Sequence, residues 1–81
     1  MENKISTLIA SDENHDKIFI EIYVDNKFLA IVSQEDGIDN LVVEFPESNL
    51  DTNFILRTCR LSVLMDAIHT AMVDIGAVKS S

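Results

Sequence analysis

Residues 18–33 constrain the possible folds of this chain most strongly, because apolar and polar residues alternate there in two consecutive runs. Alternation with period two in β-branched and aromatic residues is typical of strands with one buried face. The two runs are separated by Asp25-Asn26-Lys27, and Asx residues tolerate the positive φ angles of a tight turn. The stretch is therefore predicted to be a β-hairpin, whose loop is either 25–26 or 26–27.

Both loops predict the same inner face, because the registers that they imply differ by an even number of residues. A third strand is predicted over 40–45, and Pro46 ends it because proline lacks the N–H that a ladder needs. The β-meander then occupies 17–45. Its predicted inner face consists of Ile20, Ile22, Val24, Leu29, Ile31, Leu41, Val43 and Phe45.

The clearest helical periodicity lies near the C-terminus, over 62–76, with Ser62 as a plausible N-cap and Gly76 as a plausible C′ residue. Residues 54–61 alternate less regularly and are predicted to form a strand whose inner face is left unassigned. Residues 1–16 form either a short strand or a docked turn followed by a polar connection. The apolar stripe of the helix consists of Leu64, Ile68, Ala71, Met72 and Ile75.

These elements predict one α+β domain over residues 1–81, with two layers. An antiparallel meander of three or four strands has one apolar face, and one C-terminal amphipathic helix is available to cover that face. A chain of 81 residues is close to the smallest size that a hydrophobic core stabilises without disulfides or metals. The helix is therefore expected to be indispensable.

The charge balance restricts the kind of partner. Fourteen acidic residues against six basic ones give a formal net charge of -8. Nucleic acid and anionic membranes repel such a chain, so a basic protein is the natural partner. The single Cys59 excludes an internal disulfide, and there is no apolar stretch of the length of a membrane span or signal peptide. We expect a cytoplasmic protein.

No catalytic or metal-binding motif is present in the sequence. There is no glycine-rich phosphate loop, no histidine pair at i and i+4, no CxxC and no nucleophile with an identifiable base. The segment 35–39 superficially resembles a calcium loop but lacks the alternating acids and the terminal glutamate. We therefore expect a protein that is not an enzyme and that needs no cofactor and no metal.

The outer face of the predicted sheet is too apolar to be left wholly in water. The N-terminal segment or a second copy of the chain, as a homodimer, would cover it, and so would a protein partner. In the last case Tyr23 and Phe28 are candidate anchors. The predicted outer residues are Phe19, Tyr23, Phe28, Ala30, Val32 and Val42, interspersed with Glu21 and Glu44.

A run of acidic residues without any Lys or Arg follows the hairpin. Such a run is often a solvated edge, and it would equally steer a cationic partner towards the protein. The candidate partner-binding residues of this run are Glu35, Asp36, Asp39, Glu44, Glu47 and Asp51.

The chain resembles small bacterial immunity proteins, which are encoded beside contact-dependent growth inhibition systems and other polymorphic toxins. The similarity covers 17–76. It is carried by the strings IEIYVDNKFLA at 20–30, QEDG at 34–37, LVVEFP at 41–46, Leu61 and LMDAI at 64–68.

The resemblance implies a cytosolic, non-enzymatic protein that binds one cognate toxin domain and blocks its active site. Many such toxins are nucleases with basic grooves, which would match the acidity of this chain. The alternative interpretation is a homo-oligomeric structural or adaptor module, without enzymatic activity, whose outer sheet face is the self-interface.

Overall fold

The computed structural model describes residues 3–47 and 53–78 and shows the expected two-layer α+β fold. Four antiparallel strands form one open sheet in the order β1-β2-β3-β4, and a single helix packs against one face. We call this the helix face and the opposite one the outer face. The elements are β1 (Ile5–Ala10), β2 (Phe19–Val24), β3 (Lys27–Ser33), β4 (Val42–Glu44) and α1 (Leu61–Ile75).

The hairpin of β2 and β3 is closed by Asp25 and Asn26, whose φ angles are 52° and 68°. Two consecutive positive φ angles are those of a type I′ turn, which matches the twist of the flanking strands. The Asp25 carboxylate accepts hydrogen bonds from the backbone N–H of Lys4 and from Asn3 Nδ2, at 2.8 and 2.7 Å. The turn therefore also fixes the start of β1, and the N-terminal segment is a strand.

The predicted inner face of β3 is correct at Leu29 and wrong beyond it, because β3 contains a bulge. Tyr23 pairs with Phe28, but Ile22 pairs with Ala30, so Leu29 is an extra residue in the ladder. One inserted residue reverses the faces of everything beyond it. Thus Ala30 and Val32, predicted outside, lie on the helix face and are buried, whereas Ile31, predicted inside, lies on the outer face between Glu21 and Glu44.

The core lies between α1 and the first three strands. Ala67 and Ala71 are fully buried, and their small side chains let the helix approach the sheet closely. The helix contacts mainly β1 and β2. It leaves the helix face of β4 uncovered, so the prediction that Phe45 is part of the buried core is wrong: its side chain is 66% exposed. The core consists of Ile20, Ile22, Val24, Leu29, Ala30, Val32, Ala67, Ala71 and Ile75.

The ends of α1 agree only in part with the prediction. Gly76 has a φ of 91°, and its N–H donates to the carbonyl of Val73, as expected for a C-terminal glycine. The N-cap residue is Arg60 rather than Ser62, and no side chain caps the helix there. The backbone of Arg60 is extended, and the helix begins at Leu61, two residues before the start that a Ser62 cap predicts.

The predicted strand over 54–61 is also wrong. Within this segment only Ile55 makes a bridge, parallel to Phe28, and 56–60 have no regular structure. Ile55 and β4 pair with the same edge of β3, and β4 already occupies that edge from Ile31 to Ser33. A longer strand therefore has no free partner, and the chain leaves the sheet to begin α1.

In the part of the chain that the structure describes, no helix combines the length and the apolar character needed to span a bilayer.

Because of the bulge, a polar substitution should destabilise the domain more at Val32 than at its neighbour Ile31. Val32→Thr should destabilise the domain by about 1 to 3 kcal/mol, because it places a hydroxyl at a core position that is 2% exposed. Ile31→Thr keeps a β-branched side chain on the half-buried outer face and should cost less than about 1 kcal/mol. Urea unfolding of both variants measures the difference, and the reverse order of stabilities would show that the bulge is absent.

Candidate protein-binding surface

The connections between β1 and β2 and between β3 and β4 lie at the same end of the sheet, because all four strands are antiparallel neighbours. Side chains hold the two connections together. The Glu35 carboxylate accepts the backbone N–H groups of Asp16 and Lys17, at 2.5 and 3.0 Å. Gln34 Nε2 donates to the carbonyl oxygen of Ile18 at 3.0 Å. The second connection thus fixes the path of the first.

His15 completes this attachment. Its Nδ1 lies 2.8 Å from a carboxylate oxygen of Asp12, and its Nε2 lies 2.9 Å from one of Glu44. An imidazole donates from both nitrogens only when it is protonated. The Asp12 carboxylate first, and then that of Glu44, raises the pKa of His15 to about 9, and the same hydrogen bonds lower the pKa values of both acids. His15 is therefore a cation at neutral pH.

The His15 ring also covers Phe19 on the outer face, with 4.6 Å between the ring centroids. Phe19 is only 4% exposed. The apolar outer face that the sequence left without a cover is thus partly covered by the chain itself. The covering segment is the β1–β2 connection.

The two joined connections concentrate negative charge. Six of the 14 acidic residues of the chain lie on them, and a seventh, Glu44 of β4, is joined to them by His15. The only basic groups there are Lys17 and the protonated His15. We call this surface the acidic end. Its acids are Asp12, Glu13, Asp16, Glu35, Asp36, Asp39 and Glu44.

Only part of the predicted acidic run belongs to the acidic end. Glu35 and Glu44 do, but their carboxylates hold the connections together, so their first role is structural. Asp36 and Asp39 are exposed, and within the described residues their carboxylates have no hydrogen bond or ion pair. Glu47 lies beyond the far end of β4, where its carbonyl oxygen accepts from Arg57.

Asp51, the remaining acid of that run, lies outside the described residues. Three acids that sequence reasoning did not single out, Asp12, Glu13 and Asp16, join the acidic end instead. They come from the connection that precedes β2. In an antiparallel meander the first and third connections lie at the same end of the sheet, and this rule could have placed the three acids beside Asp36 and Asp39.

Tyr23 and Phe28 form an edge-to-face pair, with 5.6 Å between ring centroids. The Tyr23 hydroxyl donates to Glu21 at 3.1 Å, and burial, followed by the charge of Glu21, raises the pKa of the phenol. Both rings are half-buried and lie at the hairpin-turn end of the outer face. Along β2 the pair lies about 14 Å from the β1–β2 connection, whereas Glu44 of β4 is level with Glu21. The predicted aromatic anchors and the acids of the two connections therefore form separate surfaces.

A groove lies on the helix face, where α1 does not cover β3 and β4. Its cavity volume is about 370 Å³. The groove is a product of incomplete cover, and sequence reasoning missed it because Phe45 was placed in the core. It is lined by Leu29, Phe45, Pro46, Leu56, Arg57, Thr58, Cys59 and Leu64.

Among the residues described, no group of three or more His, Cys, Asp or Glu side chains is arranged to hold a metal ion. Comparisons with protein-family models, with curated proteins and with solved structures found no match to this chain.

The raised pKa of His15 predicts a pH dependence of stability. The imidazole binds its proton more tightly in the folded state than in the unfolded state. Its contribution to the free energy of unfolding is therefore complete below about pH 6.5 and is lost as pH rises through about 9. The difference in thermal midpoint between the native protein and His15→Gln should therefore shrink over this interval. A proton NMR titration should locate the pKa directly, and Glu44→Gln should lower it. A stability difference that stays constant up to pH 10 would contradict the two-carboxylate arrangement.

Proposed function

We propose that this chain is a non-enzymatic immunity protein that acts in the cytoplasm, where it binds a basic, nuclease-type toxin domain and blocks its active site. The main support for this proposal is that seven carboxylates lie together on the acidic end. The resemblance of residues 17–76 to immunity proteins supports the same function.

The acidic end suits a cationic partner because its carboxylates are held in place before binding. Glu35 and His15 fix the two connections, so Glu13, Asp36 and Asp39 project from an ordered backbone. A preorganised surface loses less conformational entropy on association. Concentrated charge also raises the association rate with an oppositely charged protein, by one to three orders of magnitude at low salt. Carboxylates there would occupy the positions of nucleic-acid phosphates in a basic groove.

His15, the histidine of the joined connections, is poorly suited to act as a general base. A histidine in that role must be unprotonated near the operating pH and must have a free nitrogen. His15 has a pKa of about 9, and both of its nitrogens are engaged by Asp12 and Glu44. This cluster is suited to joining loops and not to proton abstraction.

The alternative, a homo-oligomer built through the outer sheet face, is disfavoured by the observed register. The row Leu8, Glu21, Ile31 and Glu44 crosses the middle of that face. Stacking two such faces would bring four glutamates together away from water, at a high desolvation cost. Phe19, the most apolar residue at one end, is already covered by His15.

Charge reversal tests the proposed function. Asp36→Lys combined with Asp39→Lys should lower the association rate with the toxin domain encoded beside this chain by about tenfold at low salt, because the steering field is weakened. Stopped-flow binding at ionic strengths from about 0.05 to 0.5 M measures this rate, and the effect should fade as salt screens the charges. Protection in a growth competition should fall in parallel.

The matched control is Glu47→Lys combined with Asp66→Lys. It changes the net charge equally, and both residues are exposed and lie outside the two connections. Its association rate should remain within about twofold of the native value. Equal rates for the two double variants would show that overall charge, and not the acidic end, governs binding, and a toxin that does not bind the native chain would refute the proposed function.

A further inference from the structure

The two edges of the sheet differ in how well they are protected. β4 is three residues long, includes Glu44 and is followed by Pro46, which are common protections against unwanted strand pairing. β1 is six residues long and contains no charge and no proline. Its Leu8 and Ile9 side chains are 56% and 59% exposed, on opposite faces of the sheet. The β1 edge therefore carries the features that favour pairing with another strand.

The backbone groups that β1 leaves open can be identified. The Asp25 N–H donates to the carbonyl oxygen of Lys4 at 2.8 Å, so the backbone of Lys4 points towards β2. In an antiparallel ladder the direction alternates along the strand. The N–H and C=O groups of Ile5, Thr7 and Ile9 therefore point away from β2. Within the described residues they have no backbone partner.

We propose that β1 pairs with β1 of a second copy of this chain, antiparallel and centred on Thr7, which joins two sheets into one of eight strands. In this register Thr7 lies opposite Thr7 of the other copy, and Ile5 lies opposite Ile9. All three open residues of each copy then form hydrogen-bonded pairs, with two bonds per pair. A shift by two residues in either direction leaves one of the open residues of each copy without a partner in the strand.

The side chains of the two strands agree with this register. On the helix face Ile5 covers Ile9 of the other copy, and on the outer face Ser6 lies beside Leu8. No charged residue of either strand enters the contact, but Asp74 of α1 accepts a hydrogen bond from the Thr7 hydroxyl and so lies beside the centre of the pairing in each copy. Antiparallel pairing also separates the two acidic ends to opposite ends of the joined sheet. Each Lys4 then lies beside Ala10 of the other copy, where its acidic connection begins.

The pairing has a signature in amide hydrogen exchange. Ser6, Leu8 and Ala10 point to β2, so their amides should be protected at every protein concentration. Protection of Ile5, Thr7 and Ile9 should instead rise with concentration from micromolar to millimolar. Sedimentation velocity of the full chain over the same range should show a monomer becoming a dimer.

Two variants at one position remove the dimer in different ways. Ile9→Lys adds a charge to the edge, and Ile9→Pro removes an N–H that points away from β2 and so leaves the internal ladder intact. Both should remain folded by circular dichroism and should stay monomeric at millimolar concentration. The control Ile38→Lys changes another exposed isoleucine, in the β3–β4 connection, and should dimerise like the native chain.

Three results would overturn the proposal. The first is a monomer at all concentrations, with unprotected amides at Ile5, Thr7 and Ile9. The second is a dimer that persists in both folded Ile9 variants, which would assign it to another surface. The third is protection of the three amides that does not change with concentration, since a segment of the same chain would then cover the edge.

Discussion

One helix has to cover a sheet of four strands, and this mismatch shapes the rest of the molecule. A helix is about 10 Å across, whereas three strand spacings alone take about 14 Å. α1 therefore lies over β1 and β2, where Ala67 and Ala71 allow a close approach. The helix face of β3 and β4 stays partly open and forms the groove beside Phe45. Core stabilisation is concentrated where the helix lies.

Within residues 3–47 and 53–78 no second helix covers the outer face, and the β1–β2 connection covers part of it instead. His15 packs on Phe19 and joins Asp12 to Glu44, while Glu35 holds the neighbouring backbone. Mutual repulsion among the acids is offset because two of them share one protonated imidazole. The same bonds that cover the sheet thus assemble the acidic end, so that packing and the proposed binding surface depend on one set of contacts.

The sequence contained enough information for the fold class, the hairpin turn and the C-terminal glycine, because alternation, Asx pairs and Gly76 act locally. It did not reveal the bulge at Leu29, since an inserted residue changes no local preference and yet reverses the faces of Ala30, Ile31 and Val32. The acidic run was predicted as one surface from its continuity in sequence. Glu47 instead follows β4 and lies outside the two connections, and the acids that join the acidic end come from an earlier connection.

The acidic end is proposed to bind the toxin. Amide chemical-shift mapping, with unlabelled toxin domain added to the isotope-labelled chain, tests this proposal. The largest shifts should lie in 11–18 and 34–41, with little change at the groove. Shifts concentrated at Phe45, Cys59 and Leu64, with the two connections unaffected, would contradict it.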